Sequence, residues 1–229
     1  MTEVRPIPFE GRESVRVDLG DRSYDILIGQ NLLADAGRRP RPIDLLGHGT
    51  AAKPHDPAAY DAMEQLVLAQ LPPEPVDGIG FSLGARVLLS LASEVPERFE
   101  RLVLTGVGAN LLRSDGSDLV LRAIQGEGDP ANPVVAYFAG LAQHPDVDPL
   151  ALAACLRSSR PALSPERLAR VTMPVLVIIG DQDFAGPGEP LVDLLPQGKL
   201  VTLRNIDHFA TPKDFGCIDA ALTFLGASL

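Results

Sequence analysis

Val76-Asp-Gly-Ile-Gly80-Phe-Ser82-Leu-Gly84-Ala-Arg-Val-Leu-Leu-Ser90 is a short apolar run, then a Gly-x-Ser-x-Gly turn, then a series of helix formers. Pro72, Pro73 and Pro75 bound the apolar run on one side, and Ala85 to Ala92 is apolar nearly all round, the pattern of a helix buried behind a sheet. A strand that turns sharply into a helix holds its apex residue at strained backbone angles and brings neighbouring backbones close, so the positions two before and two after must be small. Gly80 and Gly84 meet that demand. The turn lifts the Ser82 hydroxyl clear of the sheet and aims the Leu83 backbone N–H, at the helix start, toward negative charge developing beside the serine. Ser90, two turns further on, is expected to be a neutral position.

This stretch resembles the nucleophile elbow of the α/β-hydrolase superfamily, and the likeness runs from about residue 41 to residue 229. The resemblance implies an α/β fold: a mostly parallel sheet with flanking helices, and a small helical cap inserted at residues 111–170 of a single domain, 1–229. At the N-terminus it implies a β-hairpin where the superfamily's early strand region is shortened. A length of 229 residues suits one such domain, and 45% hydrophobic with 22% charged residues is an ordinary globular balance. A net charge of −10 argues against nucleic acid or an anionic membrane surface as partner, since either needs a basic face. The chain shows neither an apolar leader behind a positive start nor a run of about 18 apolar residues, so a cytoplasmic protein is expected. Cys155 and Cys217 lie far apart in no metal-like spacing and read as reduced, buried thiols; no metal or other cofactor is implied. Oligomeric state is not legible.

Along the chain, residues 1–12 read as a loose end, and Ser14 to Leu19 with Ser23 to Ile28 alternate as a β-hairpin around Gly20-Asp21-Arg22. Val17 to Leu33 is similar to the N-terminal hairpin of dehydroquinate synthase. That family's glycine-rich nucleotide loop and metal ligands have no counterpart further on, so no function is carried over. Ile43-Asp44-Leu45-Leu46-Gly47-His48-Gly49-Thr50 resembles the D-x-x-G-H-G-x-S loop that precedes the elbow strand in the hydrolases. His48 there braces the turn by bonding to local backbone rather than acting as a base. Asp56-Pro57 is an N-cap with proline at N1, opening a helix over Ala58 to Leu71. With that loop placed, the superfamily's oxyanion strand has one remaining counterpart, Tyr24 to Asn31. The implied second oxyanion donor is then the backbone N–H of Gln30, beside Leu83, with Tyr24 to Ile28 lying in the main sheet.

Beyond the elbow, Arg101 to Thr105 is a buried strand, and Leu111 to about Arg170 turns helical with breaks at Gly126 to Pro130, Gln143 to Pro149 and Arg160-Pro161. Met173 to Ile179 is an unbroken apolar strand delivering Gly180-Asp181-Gln182-Asp183 at its C-terminal end, where open parallel sheets place their ligands. A helix over Pro187 to Leu195 and a strand over Lys199 to Leu203 follow, and Arg204 to Pro212 is the exit loop that carries His208. The final helix opens at Thr211-Pro212 and is expected to bury Phe215, Ile218, Leu222 and Leu225 on one face.

Ser82, a carboxylate near 183 and His208 occur in the order nucleophile, acid, base that the superfamily shows, each just past a predicted strand. A serine hydroxyl is a poor nucleophile unless an imidazole takes its proton and a carboxylate fixes that imidazole's tautomer and charge. Asp183 matches the family's G-x-x-D pattern, while Asp181, against the strand end, is expected to brace the turn. The resemblance thus implies a serine hydrolase acting through an acyl-enzyme on an ester or related small carbonyl compound. Two other readings stay open: cleavage at a carbon–carbon bond with the same triad, and a truncated, non-catalytic relative that binds without turning over.

Overall fold

Glycine at the end of the elbow strand is what lets a helix start directly above it. In the computed structural model, which describes residues 12–17, 24–29, 39–113, 117–158 and 160–226, a Cβ on Gly80 would lie 2.6 Å from the Ala85 backbone nitrogen and 2.6 Å from the Gly84 carbonyl carbon. No side chain fits there. The chain divides into two compact units, one of Ile43–Ala221 and one of the N-terminal hairpin region with the chain's last residues.

In the smaller unit, β1 (Arg12–Val17) and β2 (Tyr24–Gly29) form an antiparallel hairpin, Val17 opposite Tyr24 and Arg12 opposite Gly29. The hairpin expectation holds, but the placement of Tyr24 to Ile28 in the main sheet does not: β2 pairs with β1 in a two-stranded sheet of its own. Gln30 lies outside the described residues.

In the larger unit, the segment after Asp56 winds first as a 3₁₀ helix over Pro57–Ala62 and then as α1 (Met63–Leu68), shorter than expected. Asp56 caps it, its carboxylate accepting from the Ala58 N–H at 3.0 Å. The elbow follows as β3 (Val76–Phe81) and α2 (Leu83–Glu94), then β4 (Phe99–Thr105). Next come α3 (Ser117–Ile124), α4 (Pro133–Ala142), α5 (Pro149–Arg157) and α6 (Pro165–Leu168). The chain returns to the sheet with β5 (Val175–Gly180), α7 (Glu189–Val192) and β6 (Gly198–Leu203), and ends in α8 (Phe215–Phe224).

The four strands run parallel in the order β3-β4-β5-β6. In register, Phe81 pairs with Thr105, Thr105 with Ile178, and Gly180 with Leu203, so the strands finish along one edge. Every residue of β5 is buried, as a strand covered on both faces requires. β3 is the outer strand of this sheet, and Ile79 on it is 52% exposed. The main core joins Leu89, Leu91, Leu102, Leu104, Val175 and Val177 with Leu168 and Leu191. α3, α4 and α5 have a small core of their own around Val120, Ile124 and Ala153.

Three expectations need correction. Gly84 is not sterically required, because a Cβ on it would meet nothing within 4 Å; the crowding of the turn falls on Gly80 alone. Ser90 is not neutral: it is buried, and its hydroxyl accepts from Arg167 Nη2 at 3.1 Å, one of the bonds that fasten α6 to α2. α8 turns Cys217 inward and leaves Phe215 70% and Ile218 42% exposed, so the predicted stripe fails in its first half, while Leu222 is half-buried and Leu225 buried as expected.

Gly80→Ala is therefore expected to cost at least about 1 to 3 kcal/mol, the range for forcing atoms into a filled space. Gly84→Ala should fall between neutral and about 1 kcal/mol stabilising, since alanine is the better helix former. Chemical denaturation of the two variants beside the parent measures both. Equal loss in the two would mean that the turn is crowded on both sides.

Candidate active site

The sheet edge gathers three side chains that are far apart in sequence. Ser82 stands at the start of α2 with φ 51° and ψ −111°, a left-handed backbone that non-glycine residues adopt at a cost of about 1 to 3 kcal/mol. Backbone bonds hold it there: its N–H donates to the Thr105 carbonyl at 2.9 Å, and its own carbonyl accepts from the Arg86 N–H at 3.0 Å. Thr105 Oγ1 also donates to the Gly80 carbonyl at 3.2 Å, tying the last turn of β3 to β4.

His208, on the loop after β6, places Nε2 3.1 Å from Ser82 Oγ and Nδ1 2.9 and 3.0 Å from the two carboxylate oxygens of Asp183. The side chains of His208 and Asp183 are 4% and 0% exposed. A carboxylate can only accept, so Nδ1 carries the proton, and the neutral ring then presents the lone pair of Nε2 to the serine hydroxyl. The Ala185 N–H donates to Asp183 Oδ1 at 2.8 Å and fixes the acid in turn. Asp181 faces elsewhere: its carboxylate accepts from the Asn205 N–H at 2.7 Å, bracing the turn out of β6. Leu83 is the first residue of α2, where a backbone N–H has no acceptor within its own helix.

Two glycines that carried no role in the sequence make this juxtaposition possible. A Cβ on Gly180 would lie 1.9 Å from the Ile206 carbonyl oxygen, so its absence lets the His208 loop cross the end of β5. Gly106, at φ +65°, leaves the space that a Cβ would take at 2.5 Å from the Phe81 ring and 3.1 Å from His208 Cε1. The only sequence signal for either was a glycine directly after a strand. Phe81 and Phe184 flank the imidazole, with ring centroids 4.8 and 4.3 Å from it. Tyr137 of α4 stacks on Phe209 at 3.6 Å, next to His208.

A model of the alpha/beta hydrolase family matches residues 20–215. The chain belongs to this family. Over 200 residues the hydrolase is 30% identical to a pimeloyl-acyl-carrier protein methyl ester esterase of Neisseria meningitidis, covering 72% of this chain and 74% of that protein. The crystal structure of a hydrolase from Pseudomonas aeruginosa PA01 superimposes with a TM-score of 0.60 at 28% identity, covering 80% of this chain and 78% of that one. A 3-dehydroquinate synthase of Paracoccus denitrificans is 44% identical over 57 residues, 22% of this chain and 16% of that enzyme, so the second resemblance is confined to a short piece.

Ser82 and His208 open into a cavity of about 920 Å³. Leu83 and Phe81 form part of its floor, and Tyr137, Phe138, Leu141, Leu152 and Leu156 of α4 and α5 face it from the other side. Leu150 of α5 points to solvent at 62% exposure. The loop of residues 44–50 contributes Asp44 and His48 to the wall. His48 Nδ1 lies 3.1 Å from the Leu46 carbonyl, a bond to local backbone. Among the described residues no group of three metal-ligating side chains occurs, and no helix is long and apolar enough to cross a membrane.

Asp44 braces this loop more strongly than His48 does. Its carboxylate accepts from the Thr50 N–H and from Thr50 Oγ1, both at 2.8 Å, and these two bonds lower its pKa below the ordinary carboxylate value. A carboxylate whose pKa is depressed by folding stabilises the fold above its unfolded value, about 3.9, and loses that contribution as pH falls through the lower folded value. Asp44→Asn should accordingly be less stable than the parent at neutral pH, with the gap closing below about pH 4. Urea denaturation of both proteins at pH 7 and pH 3 checks it; a gap independent of pH would assign the loss to shape rather than charge.

Proposed function

We propose that this hydrolase cleaves carboxylic esters through an acyl-enzyme on Ser82, with His208 as general base and acid and Asp183 as the group that orients and balances it. The observation that carries the reading is the unbroken relay of hydrogen bonds from Asp183 through His208 to Ser82. His208 Nε2 takes the hydroxyl proton as Ser82 Oγ bonds to the ester carbonyl carbon. The negative charge that develops on the carbonyl oxygen faces the Leu83 N–H at the start of α2. The alcohol then leaves with the proton from His208. Water enters by the same route, its oxygen bonding to the acyl carbon as its proton passes to His208, and the acid is released as the Ser82 Oγ–carbon bond breaks and His208 returns the proton to Ser82 Oγ.

The Neisseria relative, a methyl ester esterase by name, supports an ester over a carbon–carbon bond as the point of cleavage. The substrate is a small molecule or the small end of a larger one, since it must reach Ser82 inside a cavity of about 920 Å³. In this reading residues 111–170 act as the cap. The apolar faces of α4 and α5 exclude water from the acyl-enzyme's surroundings, and the Tyr137 and Phe209 rings close the side nearest His208.

Ser82→Ala should abolish both labelling by a fluorophosphonate probe and hydrolysis of p-nitrophenyl esters, with thermal stability close to the parent's. Asp183→Asn should lower turnover by about 10⁴-fold through loss of the imidazole's tautomer and charge partner. Asp181→Asn, which touches only the Asn205 turn, should change turnover far less. Full ester hydrolysis by Ser82→Ala would remove the mechanism, and a larger loss of turnover in a stably folded Asp181→Asn would transfer the acid's role.

A further inference from the structure

One turn along α2 from Ser82, a rise of about 6 Å, stands Arg86. Its half-buried guanidinium donates from Nη2 to the backbone carbonyls of Arg160 at 3.0 Å and Pro161 at 2.7 Å. Arg160 packs beside it: its Nη2 is 3.2 Å from the Cys155 sulfur, a weak acceptor, and its Nε is buried with no partner among the described residues. Both arginines line the Ser82 cavity, with Arg157 at its exposed rim. Among the described residues, neither Arg86 nor Arg160 makes an ion pair with a carboxylate. The carboxylates on the cavity wall are Asp44, whose Oδ2 accepts both bonds from Thr50, and Asp118 of α3; neither is bonded to Arg86 or Arg160 among the described residues.

Two adjacent guanidinium groups partly withdrawn from water with no carboxylate bonded to either are costly to hold, and the cost is relieved when an anion enters between them. Burial, with the nearby charges of Arg160 and Arg167, already weakens the hold of Arg86 on its proton, while Glu64 opposes this. The protein carries a net charge of −10, so a cationic recess beside the nucleophile is not a reflection of the overall charge. Carbonyl oxygens and a thiol hold the two side chains in place but neutralise nothing, and Arg160 Nε keeps an unused donor.

We propose that Arg86 and Arg160 form an anion subsite of the Ser82 cavity, and that the preferred substrates are esters carrying a second, ionised oxyanion group, a carboxylate or a phosphate, a short chain away from the scissile carbonyl. The position of the ester at Ser82 rests on the esterase reading; the anion subsite does not, because it binds whether or not Ser82 reacts. The charged end anchors the ligand while the ester reaches the nucleophile one helical turn away. Arg160 and Arg86 each supply one positive charge to the recess they line.

The test uses three matched methyl esters: methyl valerate, which is neutral, monomethyl glutarate and methyl 4-phosphonobutyrate. Calorimetry with Ser82→Ala measures binding without turnover, and methanol release by the parent gives kcat/KM. The expected result is at least tenfold tighter binding of one or both anionic esters than of methyl valerate, with the tighter of the two naming the carboxylate or the phosphate as the natural group. Arg160→Gln should reduce the anionic-to-neutral ratio of kcat/KM about 10- to 100-fold, chiefly through KM, as loss of a charge-assisted hydrogen bond does. Arg160→Lys should restore part of it. If Arg160→Gln fails to fold, the calorimetry on Ser82→Ala still decides. Equal binding of all three esters, or a ratio unchanged in folded Arg160→Gln, overturns the subsite. Tight anion binding with no methanol released from any ester would instead leave the subsite standing and remove the esterase reading.

Discussion

The 2.6 Å that would separate a Cβ on Gly80 from the Ala85 nitrogen is the requirement behind the position of Ser82. It sets the start of α2 directly on the end of β3, and that in turn forces Ser82 to φ 51°. The strain persists because the alternatives are blocked: the Ser82 N–H is committed to Thr105, and its carbonyl to the first turn of the helix. β4 and β5 repeat the device. Gly106 and Gly180 each end a strand where a side chain would collide, one with Phe81 and His208, the other with the Ile206 carbonyl. Missing Cβ atoms at three neighbouring strand ends thus let a helix start, an imidazole and a loop share one edge of the sheet.

What converges there is a hydrogen-bonded relay almost closed off from water. Asp183 is completely covered and His208 nearly so, with Phe81 and Phe184 against the ring. In such surroundings the hydrogen bonds between acid, base and serine are stronger than they would be in water, and the acid has no competing solvent to orient it. The partner that remains outside the relay, Asp181, is exposed and spends its carboxylate on a turn. Burial rather than proximity in sequence distinguishes the two.

Much of this was legible from residue order alone because the elbow and the strand ends are local features. Gly80, Ser82 and the buried face of α2 follow from spacing within a dozen residues, and β5 from an unbroken apolar run. The misreadings share a cause, which is that they turn on distant neighbours. Gly84 looked as constrained as Gly80 because motif symmetry says nothing of which glycine meets the crowding. Ser90 looked inert because Arg167, which it receives, is 77 residues away. The α8 stripe failed at Phe215 and Ile218 because periodicity finds an apolar face without saying where the helix will be turned. The same limit hid Gly106 and Gly180, whose neighbours come from other strands' loops.

The stack of Tyr137 on Phe209 has a consequence for the loop that carries His208. Tyr137 belongs to α4 and Phe209 follows His208 directly in the chain, so the wall of the cavity and the base are fastened at one point. Such a ring pair is worth about 0.5 to 1.5 kcal/mol beyond the area it covers, one to three times thermal energy. The position of α4 thus bears directly on the loop that holds the imidazole: a change that removes either ring would loosen the support of His208 without touching Ser82 or Asp183.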